Sequence, residues 1–365
     1  MRLGSKHTVG RSGGLLIACA ALSATGLLLT AAPGVAAATD SQQGLGLIAK
    51  ASVSSSQGVA AQAAQIPDRA TALCIPGVNG YNRFFSCVPL TGEVIFYVEE
   101  NGVEEPVGDI TFEVEQTVEL AVKTTTVTET DYIWDITEFG ETAPDGLAQV
   151  VTCGTGCRGD AHGPVALTEG KTYLYTLHFV NSIRKNAVRR NTPRYTWEFT
   201  IGNPETTIGR QWRCDDTLSP QKAGCVYASF VPTVSMAGLK FIVASISKIQ
   251  ARGGPKQLHR NSFLTNSNRD AVCDIHLPAG WKPPAGWPLP VNKPGGANKP
   301  QCDEYPFAGT WEGGKRLPAS QRGTAWVPAG ENRSQGGRLN AFYLANRVLN
   351  ATSAKTKGDA FNVAA

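Results

Sequence analysis

Cysteine is the residue that most restricts what this chain can fold into. Nine of the 365 residues are cysteines, and the first, Cys19, lies in a segment outside the fold. There Arg2, Lys6 and Arg11 precede an apolar run from Leu15 to Ala32, and Val35-Ala36-Ala37-Ala38 offers small residues for cleavage. Residues 1–38 therefore read as a secretory signal peptide. Ser23, Thr25 and Gly26 interrupt the run, which argues against an uncleaved anchor. Leu16-Ile17-Ala18-Cys19 sits too early in it to serve as a lipoprotein box. Removing the leader leaves eight cysteines, an even number in an exported chain, which reads as disulfides. They fall into four close sequence pairs, so the expected bridges are Cys74–Cys87, Cys153–Cys157, Cys214–Cys225 and Cys273–Cys302. Zinc is a poor alternative, because Cys153 and Cys157 have no second ligand pair at zinc-site spacing.

Charge divides along the chain. Residues 1–203 hold 14 Lys/Arg against 20 Asp/Glu, a net of −6, and residues 204–365 hold 20 against 10, a net of +10. A basic half beside an acidic half suggests that the C-terminal half meets a polyanion. Beyond the leader no segment approaches the roughly 20 apolar residues that span a bilayer, so a secreted, extracellular protein with no stable membrane association is expected.

The length leaves room for two domains. Residues 39–70, rich in Ala, Ser and Gln, read as a flexible N-terminal spacer. Residues 71–203 read as an all-β, sandwich-like domain, from alternating runs such as Glu93–Val98, Ile110–Val114, Val118–Val122, Tyr173–Phe179 and Tyr195–Ile201. This domain shows no catalytic constellation; Asp160 and His162 read as turn residues beside a short disulfide. Residues 204–365 read as an α+β domain. Its Asp215-Asp216 pair suits a turn better than a metal. Trp281 and Trp287 lie in a Pro/Gly-rich connection, where they either stack on bases or fill the underside of the loop. His259 and His276 are the histidines of this half, and either could serve as a general base.

Two further stretches carry chemistry. Cys302-Asp303-Glu304-Tyr305-Pro306-Phe307-Ala308 places adjacent carboxylates after a cysteine. About thirty residues on, Gly330-Glu331-Asn332-Arg333-Ser334-Gln335-Gly336-Gly337 runs into an amphipathic segment with Leu339, Phe342, Tyr343 and Val348 at helical spacing. Gly336 and Gly337 read as its first turn. In order, spacing and following helix these stretches resemble the NucA/NucB family of secreted deoxyribonucleases, over roughly Arg213 to Ala365.

The resemblance implies a domain similar to a ββα-metal fold and non-specific endonucleolytic hydrolysis of DNA with a divalent cation, Mg²⁺ or Mn²⁺. It implies Asp303 as the base, with Glu304 and Glu312 (the latter in a matching Glu-Gly-Gly stretch) as further catalytic residues, and Asn332 and Glu304 on the metal side. If they lie on a strand, Asp303 and Glu304 face opposite sides and cannot both reach one point. Asn332 could instead cap the helix. Arg333, Gln335 and Arg338 are candidate phosphate or DNA contacts, as is Arg347. Glu331 stands where relatives often have aspartate. RNA is a further substrate, since nothing here reads a 2′-hydroxyl. Two rival functions stand beside the enzyme: a nucleic-acid-binding or cell-surface protein with an inactive nuclease-like domain, and a nuclease toxin of bacterial competition.

Overall fold

A computed structural model describes residues 47–55, 64–65, 79–273 and 276–365. The expected leader and Cys74 lie outside them; Cys87 is disulfide-bonded.

The N-terminal part is built on a long hairpin, Phe85–Glu100 with Val103–Glu119. Asn101 and Gly102 turn it with φ of 55° and 79°, the left-handed pair that a two-residue turn needs to match strand twist. Leu47–Ser55 pairs with Phe85–Glu100 over its whole length. Within 39–70, residues 47–55 are therefore strand rather than flexible spacer: Ala49, Ala51 and Val53 alternate inward and are buried. Thr126–Gly140 and Tyr173–Asn181 extend the same sheet. A second, four-stranded sheet runs in the order Glu205–Ile208, Arg194–Phe199, Asp145–Thr152, Ala161–Leu167. The sheets share one core, in which Phe96, Phe112, Ile133 and Phe179 meet Leu147, Val151, Trp197 and Phe199. The Phe112 and Phe199 rings lie 6.3 Å apart across it. Asp160 and His162 do not pair: Asp160 accepts from the His178 backbone N–H at 3.1 Å, while His162 stacks on Tyr175.

The C-terminal part packs helices α1 (Lys240–Ala251), α2 (Thr265–Val272) and α3 (Ala329–Ala345) around two small sheets. In one, the last strand, Ala360–Ala364, lies between Thr233–Ser235 and Gln257–His259. The other is the hairpin of Pro300–Tyr305 with Gly323–Pro328, which runs directly into α3. Ile242, Ile246, Leu258, Val327 and Phe361 form its core. The bridges Cys153–Cys157, Cys214–Cys225 and Cys273–Cys302 are all formed. The loop closed by the last one hides Trp287, whose Nε1 donates to Asn298 O at 2.9 Å and whose ring lies against Phe241 and Trp281. Trp287 therefore fills the underside of the loop.

Buried ion pairs tie the two parts together. Arg347 and Asp215 are both fully buried and joined at 2.6 Å (Nη2 to Oδ1) and 3.0 Å (Nε to Oδ2). This corrects the phosphate reading of Arg347, while Asp215 keeps a turn role as well, accepting from Thr217 N at 3.4 Å and Thr217 Oγ1 at 3.1 Å. Arg213 holds Asp359 with Nη1 2.8 and 2.7 Å from its two carboxylate oxygens. Arg83, from the β-rich part, donates to the carbonyls of Phe230 and Asn346 at 2.8 Å each. Burial, and then the neighbouring Arg213 charge, lower the Arg83 pKa to about 10. Arg347 holds a left-handed backbone with φ of 44°, and its carbonyl accepts from Arg83 and Arg213. A charge stranded in such a place costs about 3–5 kcal/mol. Asp215→Ala is therefore expected to lower stability by about that amount, read as a falling midpoint in urea titration. A change under about 0.5 kcal/mol, the scale of an ordinary surface substitution, would show that this pair does not join the two parts.

Candidate active site

The hairpin separates the two acidic neighbours. Along Pro300–Tyr305, Gln301, Asp303 and Tyr305 share one face, and Cys302 and Glu304 the other, as strand geometry requires. Helix α3 covers the first face. Its Gln335 and Asn332, three residues apart and so on one side of the helix, meet that strand in step. Gln335 Nε2 lies 3.5 Å from Asp303 Oδ2, and Asn332 Nδ2 donates to Gln301 Oε1 at 3.1 Å. Asn332 is the fourth residue of α3, and its side chain bonds Gln301, so it does not cap the helix. On the opposite face Glu304 lies 3.5 Å from Arg269 Nε on α2, beside the Cys273–Cys302 bridge.

Asp303 is 3% exposed. Burial first, and the Glu304 carboxylate second, push its pKa up to about 7. Burial also raises Glu304, against the pull of Arg269. Among the described residues no basic side chain forms an ion pair with Asp303.

The remaining candidates are dispersed. Glu312 is bound to His259, accepting from its backbone N–H at 2.9 Å and lying 2.7 Å from its Nδ1. Glu331 accepts from the backbone N–H groups of Phe241 and Ile242 at 2.9 and 3.3 Å. It thereby caps α1, whose own N-cap residue, Leu239, makes no side-chain cap bond. Arg338 donates to Ala237 O at 2.6 Å. Gly336 and Gly337 fall in the middle of α3 rather than in its first turn, because the helix already begins at Ala329 after Pro328. Both are exposed, and a Cβ at either would meet nothing within 4 Å.

A cleft of about 540 Å³ opens beside this arrangement, lined by Arg269, Lys299, Gln301, Trp326, Asn332 and Arg333 among others. Sequence reading passed over Arg269, Lys299 and Trp326. Arg269 carried a signal: it lies one helical turn before Cys273 and shares that cysteine's side of α2. The donor chemistry fits a hard divalent cation. Asp303 offers a carboxylate without an ion-pair partner, and Asn332 a neutral amide oxygen at the cleft; Mg²⁺ typically takes one or two protein oxygens and keeps water for the rest. Glu304 lies on the far face of the strand, away from that pair of donors.

Residues 257–363 match the model of the deoxyribonuclease NucA/NucB family. That span contains the hairpin, α3, Glu312 and the cleft residues. Searches of curated proteins and of solved structures found no match to the chain.

The raised Asp303 pKa has a consequence for stability. The folded state keeps this proton from its ordinary value of 3.8 up to about 7, where the unfolded chain has lost it. The stability that Asp303 contributes is complete below that ordinary value and is lost as pH rises through 7. With chelator present, Asp303→Asn should match the wild type in thermal melts at pH 4 and exceed it at pH 8, by up to a few kcal/mol at about 1.4 kcal/mol per unit. A difference that does not change with pH would contradict the buried, unpaired carboxylate.

Proposed function

We propose that the C-terminal domain is a metal-dependent endonuclease that hydrolyses DNA phosphodiester bonds with little sequence preference, in a protein exported through its N-terminal leader. The reading rests on one coincidence. The span that matches a deoxyribonuclease family also presents a strand–strand–helix arrangement resembling a ββα-metal site, with Asp303 facing α3 beside a cleft lined by cations. The three disulfides agree with export, since such bridges persist in oxidising compartments.

In this mechanism Asp303 takes the proton of the attacking water. Asp303 is buried with no basic side chain paired to it, which raises its affinity for that proton. Gln335 orients that carboxylate from α3. Asn332 and Asp303 would hold a divalent cation, which would supply charge neutralisation at the phosphoryl oxygens. Arg269, Lys299 and Arg333 hold the backbone through its phosphates, which carry no sequence information directly. Glu304 stands behind the strand with Arg269 and sets the position of that cation-bearing side chain. Glu312 acts at a distance, by fixing His259 and the loop before it.

Purified, oxidised protein should nick and linearise plasmid with Mg²⁺ or Mn²⁺. EDTA should abolish this, and Asp303→Ala should reduce it by about 10²–10⁴-fold without loss of fold. Intact plasmid with every metal, from folded protein, would favour a nucleic-acid-binding module instead. Arg333→Ala is expected to weaken DNA binding for all sequences alike. It should also lower the slope of log affinity against log salt by about one. An unchanged slope would remove Arg333 from the phosphate contacts.

A further inference from the structure

The chain has seven tryptophans, and six of them are satisfied within the protein. Trp197, Trp212 and Trp287 donate their indole N–H to Thr207 Oγ1 at 3.0 Å, Asn181 Oδ1 at 3.1 Å and Asn298 O at 2.9 Å. Trp134 lies against Tyr132 and Trp281 against Trp287, while the Arg316 guanidinium covers Trp311 at 4.1 Å. Trp326 has none of these. Among the described residues no acceptor takes its N–H, and no ring or cation covers its face. It is half-buried on Gly323–Pro328 and lines the cleft beside the candidate active site.

The register fixes where this ring stands. Trp326 is opposite Cys302 and so shares its side of the hairpin, while Asp303, opposite Ala325, faces the other side. The cleft joins the two sides, since Gln301 and Asn332 line it together with Cys302 and Trp326. Its walls also carry Arg269, Lys299 and Arg333 against one acid, Asp270. Lys299 and Arg333 have no acidic partner among the described residues. One concavity thus offers an uncovered aromatic ring and unpaired cations. Those are the complements of the two parts of a nucleotide, the flat base and the phosphate. A paired base shows a protein only its edge in a groove, because its faces are stacked on its neighbours. The Trp326 ring can therefore be used only by a base that has left the stack. A volume of about 540 Å³ is that of a small-molecule site, too small to admit a duplex.

We propose that Trp326 is a stacking platform for one unpaired base, so that the site takes single-stranded or locally opened DNA; this rests on the nuclease reading above and narrows its substrate. The phosphates beside that base lie on Lys299, Arg333 and Arg269, and the strand continues past Gln301 toward Asp303. Every base has a π-face, so the platform adds affinity without sequence preference. Duplex DNA is then cut where it opens, at the cost of unstacking the base that enters.

The test measures binding by the full oxidised chain in EDTA, so that it is read whether or not the protein cleaves. Fluorescence anisotropy follows three labelled probes: a single-stranded dT oligonucleotide, a strand of equal length made of abasic deoxyribose phosphates, and a closed hairpin duplex. The wild type should bind the dT strand about 5–100-fold more tightly than the abasic one. Trp326→Ala should bind both strands as the wild type binds the abasic one and leave duplex affinity unchanged, and Trp326→Phe should keep most of the preference for bases. A wild type that binds the two strands equally overturns the platform. So does Trp326→Ala that binds the dT strand as the wild type does, or that weakens all three probes alike, since the ring then only packs the hairpin. Should Trp326→Ala not fold, the wild-type comparison and Trp326→Phe decide. The nuclease reading fails separately: intact plasmid with every metal, beside a preserved preference for bases, leaves the platform to a nucleic-acid-binding module.

Discussion

The interaction on which the candidate site depends lies well outside it: the buried pairing of Arg347 with Asp215, and of Arg213 and Arg83 with Asp359. Arg347 follows the last turn of α3, the helix that presents Asn332 and Gln335 to the hairpin. Its carbonyl is gripped by two arginines of the first core, and its guanidinium by an aspartate of that core. The other end of α3 is fixed differently: Ala329 and Gly330 donate to the Lys299 and Ala297 carbonyls, and Glu331 caps α1. With both ends held, the helix cannot slide along the strand, and Gln335 stays opposite Asp303. The β-rich part thus acts on the site mechanically, without contributing a residue to it.

The second constraint is covalent. Cys273 ends α2 and is bonded to Cys302, the residue immediately before Asp303. The bridge holds α2 against the face of the hairpin that α3 does not cover. Arg269 and Glu304 meet there, while Asp303 is left facing α3. Adjacent carboxylates would repel if both turned to one point. Strand alternation sends them apart, and only one of them meets a cation within the protein. That asymmetry leaves Asp303 with the higher electrostatic burden.

The sequence displayed local relations well and distant ones poorly. Three close cysteine pairs, and a strand followed by a helix in the two motif stretches, were legible because each lies within a short stretch whose spacing means something by itself. The partner of Arg347 was not: Asp215 is 132 residues away, and an arginine after a helix looks the same whether it meets solvent or a buried acid. Leu47–Ser55 was hidden by its composition, since Ala, Ser and Lys form a strand only when a long neighbour supplies the pairing. Thr126–Gly140 was hidden more thoroughly, because Glu129 and Asp131 break the apolar alternation by which an inward face is recognised. Misplacing Gly336 and Gly337 in α3 came from taking the motif as the helix start, when Pro328 had already set it.

Glu129 with Asp131, and Asp303 with Glu304, pose the same electrostatic problem in two settings. Each holds acids in a place that raises their pKa and provides too little positive charge to offset it. The difference is access. The first pair is sealed between sheets, where Tyr195 and Gln116 bond Glu129. The second pair follows directly on Gln301 and Cys302, which line a cleft together with Arg269, Asp270, Lys299 and Arg333. Selection for stability alone would replace either pair with apolar side chains of similar volume, which commonly is neutral or stabilising.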